Sequence, residues 1–119
     1  QLAPLMRAGT ERLQVLAQAG DDHGEYAETT YRLLILMARL TGNARLQRMM
    51  TSISLQTLRY SKLGLASMAR RQRSAQLWQE ALAALEAGDV DGLVALTQQR
   101  MDESAREAVR LLPAEKDPA

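Results

Sequence analysis

More than a hundred residues separate Pro4 from Pro113, and no proline lies between them. Proline is the residue a helix interior tolerates least, so a chain lacking it over that length can run in long helices. Glycines supply the punctuation instead, at positions 20, 24, 42, 64 and 88. Composition points the same way. There are 20 Leu and 19 Ala against 4 Val and 2 Ile, with no Phe. Leu and Ala favour helix, whereas the β-branched and aromatic residues that fill strands are scarce.

Apolar residues recur at steps of three and four, the period of a buried helical stripe. The spacing predicts a first helix over about Thr10 to Ala19, with Leu13, Leu16 and Ala17 on one face; whether it reaches back through Gly9 to Pro4 is left open. Gly20-Asp21-Asp22-His23-Gly24 reads as a loop. A second helix is expected from about Glu25 to Thr41, with Tyr26, Thr30, Leu33, Met37 and Leu40 inward. Gly42 then suits the left-handed position past a helix end, and Asn43 caps the next helix. That third helix is expected over about Ala44 to Gly64, with Leu46, Met50, Ile53, Thr57 and Tyr60 inward. A fourth runs from about Arg73 to Ala87 and carries Leu77, Trp78, Ala81, Leu82 and Leu85. Gly88-Asp89 repeats the stop-and-cap device, and a fifth helix from Val90 is expected to end near Leu112, before Pro113. The expectation is an all-α antiparallel bundle of about five or more helices. It occupies 1–112, with 113–119 as a flexible tail.

The residue inventory excludes much chemistry. There is no Cys, so thiolate metal sites, Fe–S clusters and disulfides are ruled out. The single histidine, His23, lies in the first loop; beside Asp21 and Asp22 it either touches a metal or is simply solvated. With one loop imidazole and no thiol, no nucleophile–base pair of the usual kind assembles. No glycine-rich phosphate loop is present. The chain is therefore expected not to be an enzyme and to need no cofactor. A net charge of +1 marks it for neither nucleic acid nor a membrane surface. No apolar run approaches a membrane span, and a reducing cytoplasm fits.

Polar residues on inward stripes are the candidate binding residues. Leu93, Leu96, Ser104 and Leu111 define one face of the last helix, and Arg100 lies on it. A buried guanidinium needs a carboxylate or an anionic ligand; the alternatives are that Arg100 snorkels outward or pairs with Glu103 or Glu107. Thr30 and Thr57 interrupt the second and third stripes, and Trp78 is the lone tryptophan. Together they are expected to line an interhelical cavity. Singly, each threonine can bond its own preceding turn, and Trp78 can be core filler. Between Glu28 and Glu80 there is no acidic residue, but nine cationic ones. Of these, Arg45, Arg48, Arg59 and Lys62 share one helix face, either to approach phosphates or to meet solvent and acidic neighbours.

Two segments carry a resemblance. The stretch from Tyr26 to Leu46, ending LTGNARL, and WQEALAALEAGDVDGLVALTQQRM from Trp78 to Met101 resemble the FCD domain, the effector domain of FadR-type GntR transcription regulators. The likeness covers about Leu13 to Leu112. It implies an antiparallel helical bundle, homodimerisation, and an interhelical pocket for a small metabolite, often a carboxylate. It also implies DNA contact only through a winged helix-turn-helix domain preceding these residues, and an opening helix clipped at its start. Many members hold a divalent metal with one Asp and three His. Counting from the two glycine motifs, those positions fall here on Thr30, Leu34, Trp78 and Arg100. The resemblance thus implies a pocket lined by Thr30, Leu34, Thr57, Trp78 and Arg100 that holds no metal and receives an anion on Arg100. The rival expectation is a helical protein–protein adaptor without a small-molecule site.

Overall fold

The two glycine devices do what their chemistry requires. In the computed structural model, which describes residues 2–51 and 61–116 with side chains for 3–51 and 61–111, Gly42 takes φ 62° and its amide donates back to the Ala38 carbonyl. Asn43 Oδ1 then accepts from the amides of Arg45 and Leu46 at 3.0 and 3.1 Å. At the second device Gly88 takes φ 75°, and an Asp89 carboxylate oxygen accepts from the Gly92 amide at 2.9 Å. Each pairs a left-handed stop with a side-chain cap for the helix that follows.

The chain forms α1 (Leu2–Ala17), α2 (Glu25–Thr41), α3 (Ala44–Thr51), α4 (Met68–Glu86) and α5 (Val90–Lys116), with a further helical turn at 61–64. Among the described residues there is no strand. The bundle is antiparallel, as cross-helix pairs show. Along α1 and α4, Arg7 pairs with Glu86, Gln14 Nε2 donates to the Ala75 carbonyl, and Arg71 reaches Ala19 beyond the far end of α1. Along α4 and α5, Arg73 pairs with Glu103 and Trp78 meets Arg100. The core gathers Leu13, Leu16, Tyr26, Leu33, Leu34, Met37, Leu46, Trp78 and Leu93 from all five helices. At about 1.5–3 kcal/mol for each fully buried large apolar side chain, this shared interior is the main attraction holding the helices together.

Four boundaries or faces differ from expectation. The first helix begins at Leu2 rather than Thr10 and passes through both Pro4 and Gly9. Pro4 sits in the first turn, where its missing amide has no helical partner anyway. Gly9 is there because α2 comes close: a Cβ would lie 2.3 Å from Leu33 Cδ2. The fourth helix begins at Met68, since Ser67 caps it by accepting from the Arg70 amide at 3.2 Å. The last helix continues through Pro113 to Lys116. On α2, Leu40 is 36% exposed, and Leu34 and Ala38 complete the inward face instead. Of the expected third stripe, Leu46 is buried and Met50 half-buried; Ile53, Thr57 and Tyr60 lie outside the described residues.

Candidate functional site

Three helices bring four polar side chains into one buried cluster. Tyr26 opens the inward face of α2, Ser74 and Trp78 stand one turn apart on α4, and Arg100 projects from α5. All four are buried; Arg100 retains only 9% of its surface. Its guanidinium carbon lies 4.2 Å from the centre of the Trp78 ring, a cation–π stack. Stacking covers the face of the guanidinium and leaves its N–H edge free to point elsewhere.

Arg100 has no carboxylate partner among the described residues, and the structure shows why. Glu103, one turn further along α5, is held by α4: Arg73 grips it through two nitrogens at 3.1 and 3.2 Å, and Arg70 adds a contact at 3.5 Å. Those bonds hold the Glu103 carboxyl below its ordinary range, led by the Arg73 hydrogen bond. Glu107 is likewise taken by Arg110, at 2.8 and 2.9 Å. Both acids that the sequence offers as partners for Arg100 are thus engaged elsewhere. Burial lowers the Arg100 pKa to about 10, opposed by the nearby Tyr26 oxygen. That desolvation works against the charged form, and the cation–π contact offsets it by only about 0.5–2 kcal/mol.

The neighbouring hydroxyls and indole are also short of partners. Tyr26 Oη, Ser74 Oγ and Trp78 Nε1 are fully buried and make no hydrogen bond. Burial pushes the Tyr26 pKa up to about 12; the nearby Ser74 hydroxyl and the Arg100 charge pull it back only in part, so the phenol stays protonated. Ser74 lies close enough to act on the phenol as a hydrogen-bond partner, although the two hydroxyls are not well aligned for one. An unsatisfied buried polar group costs about 1–3 kcal/mol. Several in one place, around an unpaired cation, is unusual for a native interior.

The remaining expected positions divide. Leu34 is buried in the same apolar core as Trp78. Thr30 is buried, and its hydroxyl donates to the Ala27 carbonyl at 2.8 Å, the self-satisfied arrangement. Thr57 falls outside the described residues. Tyr26 and Ser74 were not among the expected binding residues. Tyr26 reads as plain stripe in the sequence, and Ser74 lies within the expected fourth helix, where its four-residue step to Trp78 is the signal for it.

In the first loop, the His23 side chain is 86% exposed, whereas the Asp22 side chain is only 7% exposed and is employed. Asp22 accepts from the amides of Gly24 and Tyr26 at 3.2 and 2.9 Å and lies 3.6 Å from Arg71. Arg71, one of the nine cations, is not on a solvated face: it is 0% exposed and donates to the carbonyls of Leu65, Ala66, Ala19 and Gly20. The rest of the cationic stretch is largely paired or mixed with acids. Lys62 meets Glu28 at 3.2 Å, and Arg45 shares an open groove with Asp91 and Asp102. Arg59 lies outside the described residues.

The profile of the FCD domain matches residues 3–103. The chain is an FCD domain. The matched span holds the whole cluster, from Tyr26 to Arg100. No curated protein and no solved structure matches the chain. FCD domains are regulatory rather than enzymatic, the effector-binding part of GntR-type transcription regulators. Among the described residues, no helix is long and apolar enough to cross a membrane.

The metal expected of many FCD domains does not fit the residues present. A guanidinium carries a positive charge and only donors, the indole N–H is also a donor, and leucine offers no ligand atom. At Thr30, Leu34, Trp78 and Arg100 a divalent cation would meet repulsion from Arg100 and at most one hydroxyl. Among the described residues, no other group of three or more His, Asp or Glu is placed to hold an ion.

Proposed function

We propose that this FCD domain senses a small anionic metabolite without a metal, in the cytoplasm, as the effector and dimerisation part of a DNA-binding transcription regulator. The reading rests on one observation above the rest. Arg100 is buried and stacked on Trp78, and Glu103 and Glu107, one and two turns further along its helix, are held by other arginines. An anion supplied from outside would convert a costly buried charge into a charge-assisted pair. Binding energy of that kind acts on the helices that carry the site. A ligand that prefers one of two dimer arrangements shifts their populations by its difference in affinity for them, and a preceding DNA-binding domain would read out the shift. Thr30, Leu34 and Thr57 complete the proposed pocket lining.

Trp78 is the sole tryptophan and touches Arg100, so its emission is a direct probe. Titration with a panel of carboxylic acids and acyl-CoAs should change Trp78 fluorescence and raise the melting temperature for at least one member. Zinc or nickel alone should give no thermal shift. Silence toward every anion would favour the adaptor reading, and a stoichiometric bound ion would overturn the metal-free site. Dimerisation is checked by sedimentation equilibrium.

A further inference from the structure

Arg100 and Glu103 stand one turn apart on α5, and both side chains are directed at α4: Arg100 onto the Trp78 ring at 4.2 Å, Glu103 into the grip of Arg73. Opposite charges three residues apart on a helix are neighbours and ordinarily pair. These two do not. The carboxylate is held by three other side chains instead. Arg73 donates to its two oxygens through Nε and Nη2 at 3.1 and 3.2 Å, Gln99 Nε2 donates at 3.1 Å, and Arg70 Nη2 adds a contact at 3.5 Å. The two arginines come from the start of α4 and the glutamine from the preceding turn of α5, so the hold spans both helices.

Without that hold, Glu103 is a ready counter-charge for Arg100. Its side chain is only 15% exposed where it stands, so turning it inward removes little more water. In exchange, a buried guanidinium without a partner becomes a charge-assisted pair. A carboxylate tethered to the same helix also competes at high effective concentration against any anion from solution. We propose that Arg73 and Arg70 are positioning residues for the anion receptor: they clamp Glu103 to α4 and so prevent it from quenching Arg100. The clamp rests on the reading of Arg100 as an anion receptor. To that reading it adds an autoinhibited state, in which Glu103 occupies the guanidinium and the domain no longer answers its effector. Apparent affinity falls with the fraction of competent molecules, so a chain quenched to about nine-tenths binds about tenfold more weakly.

Trp78 emission, read in the intact 119-residue chain against acetate, succinate and inorganic phosphate, reports on the receptor. Relative to the parent, the paired change Arg70→Met and Arg73→Met should weaken the best-binding of these anions by about tenfold or more. Adding Glu103→Gln to that pair should restore binding to within about twofold, because the amide brings no charge to Arg100. A merely structural role of the two arginines gives no such rescue. Arg110→Met, which unpairs Glu107 two turns beyond Arg100, is the charge control and should change binding by less than about twofold. If circular dichroism shows the paired variant unfolded, Arg73→Lys takes its place. It keeps the charge but loses the two-point grip, and should weaken binding about threefold, again cancelled by Glu103→Gln. Full binding in the clamp variants, a loss that Glu103→Gln does not rescue, or an equal loss in Arg110→Met each overturns the clamp. Thermal unfolding tests it without ligand: the melting-temperature changes of Arg100→Met and Glu103→Gln should add in the parent and cease to add in the clamp variant, where the two residues pair. Coupling already present in the parent, or additivity in both backgrounds, overturns the clamp. A parent silent toward these anions and toward the carboxylic acids and acyl-CoAs sinks the sensing reading, and the unfolding cycle then still decides whether Arg73 and Arg70 hold Glu103 off Arg100.

Discussion

Arg71 and Arg100 are both buried cations of one small bundle, and their surroundings are opposite. Arg71 joins the loop after α1 to the loop before α4: four backbone carbonyls accept from it and Asp22 supplies the counter-charge. Arg100 stacks on an indole, accepts no help from Glu103 or Glu107, and sits among donors that are themselves unpaired. Tied by both terminal nitrogens to four carbonyls, Arg71 adds rigidity, although its Nε is buried without a hydrogen bond. An unpaired guanidinium costs the apo fold free energy, which an incoming anion can recover. The same residue type thus serves as a clasp in one place and as a receptor in another, and the difference lies wholly in what surrounds it.

The contrast breaks most visibly if Arg71 proves dispensable. Arg71→Met keeps the side-chain length but strands Asp22 and the loop carbonyls, so urea unfolding should show a loss of about 3–5 kcal/mol. A loss under about 1 kcal/mol would mean the clasp is ornamental. Arg100→Met should move the other way. Removing a charge that burial disfavours should raise the ligand-free stability by about 1 kcal/mol, after the lost stacking is subtracted. Destabilisation as large as that of the Arg71 variant would reveal a structural role for Arg100 and erase the distinction.

The smallest effect sharpens the explanation for the unpaired state of Arg100. Glu103 has its pKa lowered in the folded chain, so its contribution is present above the ordinary carboxyl value and lost as pH falls through the lowered one. Because the Arg73–Glu103 pair is partly open to solvent, Glu103→Gln should cost only about 0.5–1 kcal/mol at neutral pH. As pH falls through that lowered value, the variant and the parent should converge in stability while Glu103 itself becomes protonated. A constant gap down to acid pH would show that the carboxylate charge is not what Arg73 holds.

Helix positions were legible because their signals are local. Gly42-Asn43 and Gly88-Asp89 carry both the left-handed stop and the next cap within two residues, so α2, the start of α3 and the start of α5 fall where the sequence puts them. The start of α1 was less legible, because a glycine in a helix interior is explained only by the Leu33 side chain lying over Gly9. The start of α4 is set by the Ser67 cap, whose bond to the Arg70 amide lies in a cation-rich stretch with no glycine stop beside it. Among site residues, Trp78 and Arg100 stood out as polar or unique positions on apolar stripes. Tyr26 and Ser74 did not, since their unmet hydrogen bonds exist only once α2, α4 and α5 are packed.

What the sequence determined by itself is the all-helical class, the main turns and the placing of a guanidinium and an indole on inward faces, because periodicity and capping act within a few residues. Which arginine would be satisfied was decided only by tertiary structure. Arg71 is met by carbonyls and a carboxylate that distant segments bring within 4 Å, whereas among the described residues Arg100 meets an indole and no carboxylate, and no local rule counts partners that arrive from across the bundle.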